Sequence, residues 1–433
     1  MTTFGAILRR TAWLLGSRMA SQLLGIATTV LIAARLGTAG FGAYAFVVAV
    51  TAVANVVTTF GTDMVLIRDL AGNGPRDRWL DALLVQLAFS AIAIAVVWVA
   101  SAIAAQPATD VATALRFMAL SLVPAAIWNV ASAILRGTGR LGSVAVIGTI
   151  AAGLQLLWSW WLVNGPDDVV GAVGAIVMAQ AVAAGIAVAV ARRRTDVLLT
   201  RPPVRRSSVL GMLRASASVG VLGLVGVLYQ RLAVLGVAVL AGAVATAWFT
   251  SGAKVVDGAE AGHVALYGAL YPAMAEAHAR GDSHDGDLHS PLRRSLLLSV
   301  GAAAAITVAL LALGPVAIGV LFGPPFAPAS RGVSILALSI LPSTLSTYLS
   351  LEVVAIRRED LALRALVASL IVLLGLLAAL IPLIGWIGAC WAVVGAETVQ
   401  AIALAITRRE AFRSIRGGAP PVAREPAVRA VAQ

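Results

Sequence analysis

The sequence predicts an all-α membrane protein that crosses the bilayer about twelve times. Hydrophobic residues make up 60% of the 433-residue chain, charged residues only 12%, and the mean hydropathy is +0.93. Soluble domains carry about 25% charged residues, so a globular protein with one membrane anchor does not fit. The apolar runs are far longer than the roughly ten-residue alternating strands of a membrane β-barrel, which leaves helices.

Twelve apolar runs are long enough to cross roughly 30 Å of hydrocarbon at about 1.5 Å per residue. Ala, Val, Leu and Gly dominate these runs, which is typical of membrane helices that pack closely through small residues. We predict spans at 11–34, 40–62, 79–104, 111–135, 142–163, 169–191, 207–230, 245–272, 295–314, 331–354, 361–382 and 386–407.

The basic residues alternate between the connections and set the orientation. With the N-terminus in the cytoplasm, 25 of the 32 Lys and Arg residues fall in cytoplasmic segments and 2 in outer ones, Arg35 and Arg331. Positive residues concentrate on the cytoplasmic side of membrane proteins, so both termini are expected inside. The same distribution explains the net charge of +12 without a nucleic-acid partner.

The chain divides into two similar halves. The basic connection ARRRTDVLLTRPPVRRSS separates six spans from six, and LGTAGFGAYAF after the first span corresponds to LAGAVATAWFT after the seventh. We predict an N-terminal lobe (1–191), a cytoplasmic linker (192–206), a C-terminal lobe (207–410) and a disordered cytoplasmic tail (411–433). An even number of spans per lobe implies a pseudo-two-fold axis along the membrane normal, with a cavity between the lobes.

Four stretches resemble, in chain order, the motifs of one transporter family. They are AARLGTAGFGAYAFVVAV, AWFTSGAKVVDGAEAGHVALYGALYPAM, VLFGPPFAPASRGVSILAL and LIPLIGWIGACWAVVGAE. The chain is similar here to the polysaccharide transporters, the lipid-linked oligosaccharide flippases of the multidrug/oligosaccharidyl-lipid/polysaccharide (MOP) superfamily. One departure concerns an Arg-x-Asp of many relatives, because Ala233 follows Arg231 where that Asp would stand.

The resemblance implies a flippase of the bacterial cytoplasmic membrane. Such a protein moves an undecaprenyl-diphosphate-linked oligosaccharide from the inner to the outer leaflet by alternating access of two lobes. It implies membrane lipids as surroundings, a polysaccharide polymerase and glycosyltransferases as partners, and no cofactor. Two alternatives stay open: a cation-coupled multidrug exporter of the same superfamily, and an envelope polymerase or sugar transferase. The sequence offers no nucleophile–base pair, so we expect no enzyme.

Cations inside the spans are the candidate substrate contacts. A charge at bilayer depth costs at least roughly 2.5–3.5 kcal/mol, so it should face the bundle interior or water. A diphosphate needs cationic partners in apolar surroundings. We expect Arg18 and Lys254 to line the cavity. Arg214, placed as the counterpart of Arg18 in the second half, either joins them or extends to the inner surface. Arg116 and Arg231 are expected near the outer ends.

The acidic residues and the histidine of the spans are candidates for ion coupling. Asp257, Glu260 and His263 follow Lys254 at three-residue steps, and Glu397 lies in the twelfth span. Asp257 can neutralise Lys254, since residues three apart are neighbours on a helix. Glu260 and His263 have the spacing of half a di-iron site, but no second Glu-x-x-His occurs, so we expect no metal.

Three further residues are expected to hold the gate or the scaffold. Arg35 lies at the first outer turn, whereas Asp63 and Arg68 mark the cytoplasmic end of the second span. Cys390 is the single cysteine, which excludes an intramolecular disulfide.

Overall fold

The protein is described by a computed structural model. It describes the backbone of residues 3–72, 78–103, 109–166, 168–199, 206–279, 291–355 and 359–416. Side chains are described over 16–72, 78–102, 110–166, 168–198, 207–260, 295–354 and 360–408.

Within these ranges the fold is entirely helical, as the sequence predicts. The elements are α1 (Thr3–Thr59), α2 (Thr62–Ala71), α3 (Trp79–Ile103), α4 (Thr109–Ala119), α5 (Leu122–Gly137), α6 (Leu141–Leu162), α7 (Val169–Arg194), α8 (Arg206–Ala279), α9 (Pro291–Phe322), α10 (Ala329–Ala337), α11 (Ile340–Ala355), α12 (Glu359–Ile384) and α13 (Trp386–Arg416), with short 3₁₀ helices at Val197–Leu199 and Pro324–Phe326. The tail predicted at 411–433 thus begins within α13, and residues 417–433 lie outside the described part.

The long helices α1 and α8 each supply two membrane spans. Nine described segments are apolar and long enough to cross a membrane, or ten if α10 and α11, bent by 42°, form one span. The α1 and α8 segments measure 44 and 54 residues. At about 1.5 Å per residue, each is more than twice the roughly 30 Å of the hydrocarbon core. Counting α1 and α8 as two spans each, and α10 with α11 as one further span, gives the predicted twelve.

A single glycine divides each of these long helices. Gly37 has φ 66 and ψ −172, and Gly242 has φ 84 and ψ 178. Positive φ is readily available only to glycine, so the chain turns at these positions without a loop. The predicted connections at 35–39 and 231–244 are therefore kinks within continuous helices, and α8 runs unbroken from Arg206 to Gly242.

The end of the bundle that holds Gly37 and Gly242, here called the kink end, is closed by a core shared between the two halves. Phe41 of α1 lies with its ring centroid 6.4 Å from Phe322 and 5.8 Å from Phe326. This core also contains Ile32 and Val237, both without exposed surface. The halves therefore exclude water from each other at this end.

The opposite end, here called the basic end, holds the arginines in the last turns of α2, α5 and α7. Arg78 pairs with Asp69 at 2.9 Å in the N-terminal half. The start of α8 docks onto the same half, because Ser208 donates a hydrogen bond to Asp81 of α3 and Met212 lies in the core formed by α2, α3, α5 and α7. The first helix of the C-terminal half thus contacts the N-terminal half at both ends.

Candidate functional site

Lys254 lies in a cleft between the two halves. It follows Gly242 by twelve residues, which places it about 18 Å along α8 from the kink end. The cleft has a volume of about 210 Å³ and is lined by residues of α1, α8 and α9, among them Ile26 and Phe322. Lys254 Nζ lies 3.5 Å from Asp257 Oδ2, and 40% of the lysine side chain is exposed. The pair was predicted from the sequence, and the lysine retains free surface.

Arg231 lies at a comparable distance from the kink end, which its place at the end of the predicted seventh span did not indicate. It precedes Gly242 by eleven residues, or about 17 Å along the helix, so the expectation of a position near the outer end is wrong. Its Nε is buried and has no hydrogen-bond partner. Because eleven residues make about three turns, Arg231 shares a helix face with Gly220. A β-carbon at Gly220 would lie 2.7 Å from the carbonyl oxygen of Phe60, so this face packs against α1.

Helices α1 and α8 contact each other along two lines, here called the first and the second seam. The two cations occupy matching places in these seams. In the first seam, a β-carbon built on Gly258 would lie 3.4 Å from Ile26 Cδ1, within the cleft of Lys254. In the second seam, Gly220 and Gly223 face Phe60 and Val56. Both seams are antiparallel.

Counting from the glycine kinks relates the two seams. Superposing Gly37 on Gly242 makes Ile26 the counterpart of Arg231 and Ala49 the counterpart of Lys254. Each seam therefore carries one cation, both at similar depth and both on α8, while the counterparts on α1 are apolar. This register could have been read from the glycines in LGTAG and LAGAV, and it shows that the cationic surface belongs to the C-terminal half.

Arg18 and Arg214 do not share a depth with Lys254 or with each other. Arg18 lies nineteen residues before Gly37 and Arg214 lies 28 before Gly242, distances of about 28 Å and about 42 Å. The expectation that they are counterparts is wrong, since Arg18 corresponds to Gly223 in the kink register. Both side chains are exposed at the basic end. No described contact brings either of them to Lys254.

Glu397 is held inside the C-terminal half by hydroxyl groups from two helices, α8 and α11. The Tyr229 hydroxyl of α8 donates to Glu397 Oε1 at 3.0 Å, and Ser346 of α11 also bonds the carboxylate. Ser369 of α12 lies 3.2 Å from the Tyr229 hydroxyl and donates to the carbonyl of Ala396 at 2.7 Å. No sequence pattern pointed to Tyr229, which lies 168 positions from its partner.

The remaining acidic candidates extend this group toward the first seam. Glu260 is within electrostatic range of both Asp257 and Glu397, so three carboxyl groups of the C-terminal half influence one another. Asp257 is the exposed member, at 61% of its side chain. His263 lies outside the described side chains. Among the described residues, no three His, Cys, Asp or Glu side chains come together as a metal site would require.

The three residues expected to hold gate or scaffold lie at the two ends of the bundle. Arg35 donates hydrogen bonds to the carbonyls of Trp160 and Val163, the latter at 2.8 Å, and its guanidinium carbon lies 5.8 Å from the Trp160 ring. It thereby occupies the C-terminus of α6, where a cation is favoured by the helix dipole. Asp63 and Arg68 lie on α2 at the basic end, where Arg68 is 71% exposed and 3.9 Å from Asp69.

Comparison with known proteins identifies the family. The sequence pattern of the polysaccharide biosynthesis protein family matches residues 7–278, more than half of the chain. The chain belongs to that family. No curated protein matches the sequence significantly. The family that the sequence motifs resemble is therefore confirmed.

Solved structures show that the family member has the fold of MOP superfamily transporters. A lipid II flippase, MurJ, in an inward closed conformation superposes with a TM-score of 0.76 and 11% identity, over 91% of this chain and 86% of that one. An inward-facing multidrug resistance MATE transporter gives 0.72 and 16%, over 92% and 96%. A MOP transporter from Pyrococcus furiosus, described as having a binding pocket of reverse polarity, gives 0.64 and 15%, over 94% and 96%.

These similarities confirm the predicted fold class, an all-α membrane protein with the architecture of twelve-helix transporters. At such low identity they establish the fold, whereas the family match rests on the sequence. The neighbours are transporters and a flippase rather than enzymes. The chain thus combines membership of the polysaccharide biosynthesis protein family with the fold of MOP superfamily transporters.

Proposed function

We propose that the protein is a flippase that carries an undecaprenyl-diphosphate-linked oligosaccharide from the inner to the outer leaflet of a bacterial cytoplasmic membrane. The observation that carries this proposal is the pair Lys254 and Arg231, one cation in each seam at mid-depth, in a chain of the polysaccharide biosynthesis protein family. A cation in the bilayer is costly. The Arg231 Nε has no partner and Lys254 is exposed beside Asp257, so a passing diphosphate supplies an anion that both can contact. Arg can grip a phosphate through two N–H groups, whereas Lys acts as a point charge.

The closed kink end supports the direction of transport. We place the basic end and both termini in the cytoplasm, following the preference of Lys and Arg for that side. The shared core around Phe41 then closes the route to the outer face. A substrate assembled by cytoplasmic glycosyltransferases would enter from the basic end, with Arg18 and Arg214 exposed at the entrance. Release to an outer polymerase requires the kink end to open.

The acidic group of the C-terminal half supports ion coupling of this movement. Carboxylates at bilayer depth commonly serve as cation or proton relays. Glu397 is hydrogen-bonded to helices that belong to the C-terminal half only. Its protonation, or the binding of a cation to it, would therefore change the packing of that half without a direct contact between Glu397 and the substrate. The same group favours a second candidate function, a cation-coupled multidrug exporter, whose substrate would face Glu260 and Asp257 instead of the cations.

Reconstitution into liposomes separates the two functions. The test measures movement across the bilayer of a fluorescent undecaprenyl-diphosphate-linked oligosaccharide, of the matching uncharged undecaprenol glycoside, and of a cationic dye. The flippase proposal expects movement of the diphosphate substrate and little of the other two. Movement of the dye alone would favour the exporter and overturn the flippase.

A further inference from the structure

The first part of α8 has one buried face. Four residues lie along this face at four-residue steps: Ser208, Met212, Ser216 and Gly220. Met212 and Ser216 have no exposed surface, whereas Leu210, on another face of the same helix, is 43% exposed. The sequence predicts this segment as the beginning of the C-terminal lobe, so its buried face would be expected to pack against that lobe.

Two contacts instead fix the beginning of this face to the N-terminal half. The Ser208 hydroxyl donates a hydrogen bond to Asp81 of α3, a residue that is only 5% exposed. Met212 lies in the core formed by α2, α3, α5 and α7, together with Leu66 and Ile134. Separation at this point would take a donor from a buried carboxylate and expose Met212 to water, and the second change alone costs about 1.5–3 kcal/mol.

The other end of the face meets the break between α1 and α2. A β-carbon built on Gly220 would lie 2.7 Å from the Phe60 carbonyl oxygen, and one built on Gly61 would lie 2.7 Å from the Gly220 nitrogen. Phe60 has φ 42. This left-handed conformation costs a non-glycine residue about 1–3 kcal/mol and persists only where the surroundings impose it. Together with the contacts of Ser208 and Met212, this backbone packing holds about 18 Å of α8 on the N-terminal half.

The next part of α8 is bonded to the C-terminal half. Tyr229 donates to Glu397, and a β-carbon built on Gly236 would lie 3.5 Å from Ile381 Cδ1. Gly226 lies between the two parts, and nothing lies within 4 Å of a β-carbon built there. Glycine disfavours a helix by about 0.8–1.0 kcal/mol relative to alanine, so α8 bends more readily at Gly226 than at a packed position.

We propose that residues 208–223 of α8 move with the N-terminal half during transport, and that the boundary between the two moving units lies at Gly226 rather than at the linker 192–206. The rest of α8 moves with the C-terminal half through Tyr229 and Glu397. A change at Glu397 therefore acts on a helix whose other end is held by the opposite half. This assignment rests on the proposed transport, because it needs the two halves to move relative to each other.

Reversible cross-linking in liposomes tests the assignment. Ser208→Cys with Asp81→Cys, in a Cys390→Ala background, places two thiols at the contact between α8 and α3, and a short bis-thiosulfonate reagent joins them. The cross-linked protein should move the fluorescent undecaprenyl-diphosphate-linked oligosaccharide at the same rate as the reduced protein. A second pair joins α1 to the end of the segment and should also leave the rate unchanged. It is Val56→Cys with Gly223→Cys, where a β-carbon on the glycine lies 3.7 Å from Val56 Cγ1.

The control cross-link spans the kink end. Phe41 and Phe326 belong to opposite halves and have ring centroids 5.8 Å apart. A cross-link in Phe41→Cys with Phe326→Cys should stop transport until reductant is added. Transport by this cross-linked control would overturn the proposal, because the halves would then not separate at the kink end.

Loss of transport on cross-linking either of the first two pairs, restored by reductant, would also overturn the proposal, because the contact between α8 and the N-terminal half would then have to open. Each comparison is made within one protein, so a pair that disturbs folding is recognised in its reduced form and the other pair decides. If the reduced proteins move only the cationic dye, the flippase proposal fails, and the same comparison is made with the dye.

Discussion

Gly42 of α1 lies so close to Ala243 of α8 that a β-carbon built on Gly42 would be 1.7 Å from the Ala243 carbonyl oxygen. No rotamer change relieves such an overlap, because both partners are backbone. The two halves can therefore approach at the kink end only while residue 42 is glycine. This contact lies beside the shared core around Phe41, so it belongs to the closure that the proposed transport cycle must release.

Replacing Gly42 should shift the protein toward a state that is open at the kink end. We expect Gly42→Ala to lengthen the distance between spin labels at positions 110 and 383, both exposed at this end, in a Cys390→Ala background. Double electron–electron resonance measures that distance. Gly25→Ala is the matched control, because nothing lies within 4 Å of a β-carbon there. An unchanged distance distribution in Gly42→Ala would show that the halves separate or adjust without this contact.

Lys254 should be required for transport but not for folding. Lys254→Ala removes the cation from the cleft and, as a charge-assisted contact is worth about 1.5–3 kcal/mol, should lower flipping by roughly 10- to 100-fold. Protein in the membrane should stay at the wild-type amount, since 40% of this side chain is exposed. Lys254→Arg should retain most activity, and Asp257→Asn is the control that removes the ion pair but keeps the cation. Normal polysaccharide export by Lys254→Ala would remove it from the substrate contacts.

Arg231 should behave differently from Lys254 because it is more deeply packed. Arg231→Gln relieves a buried, unpaired Nε, so we expect equal or higher thermal stability together with a loss of flipping. The measurements are thermal unfolding in detergent and liposome transport of the diphosphate substrate. Arg231→Lys keeps the charge but not the two-pronged geometry and should fall between the two. A large drop in stability with normal specific transport would instead make Arg231 a packing residue.

The contrast between these two cations shows how far sequence reasoning reaches. Composition and the alternation of basic connections are enough for twelve spans in two halves, because hydrocarbon thickness fixes span length. The depth of a residue in the membrane is harder to predict than the number of spans. Because α8 extends well beyond the membrane at Arg206, a span counted from the linker ends before Arg231 although the helix continues. Only the kink at Gly242 gives the correct reference. Contacts such as Tyr229 with Glu397 join residues 168 positions apart, and hydropathy carries no information about them.

Arg35 should act on stability more than on transport. Its hydrogen bonds to the carbonyls of Trp160 and Val163 join α1 to the C-terminus of α6. Arg35→Ala removes charge-assisted bonds and is expected to cost about 1.5–3 kcal/mol, seen as a lower unfolding temperature in detergent. Arg35→Lys should recover part of this loss. If Arg35→Ala kept the wild-type unfolding temperature but lost transport, the residue would belong to the gate or the substrate route rather than to the scaffold.

Tyr229 and Glu397 should connect ion binding to the movement of α8. Glu397→Gln keeps an oxygen that can accept from Tyr229 but removes the negative charge, so folding should persist. Transport should lose its dependence on the coupling ion, measured in liposomes with imposed proton or sodium gradients.

Tyr229→Phe removes the hydroxyl that joins α8 to α13 and should weaken transport while leaving the gradient dependence in place, because the carboxylate is retained. Ser159→Ala, a buried hydroxyl without a hydrogen-bond partner in the N-terminal half, is the control for loss of a polar group. Gradient-dependent transport by Glu397→Gln at the wild-type rate would exclude this carboxylate as the coupling site. Glu260, which interacts electrostatically with Glu397, would then be the residue to test.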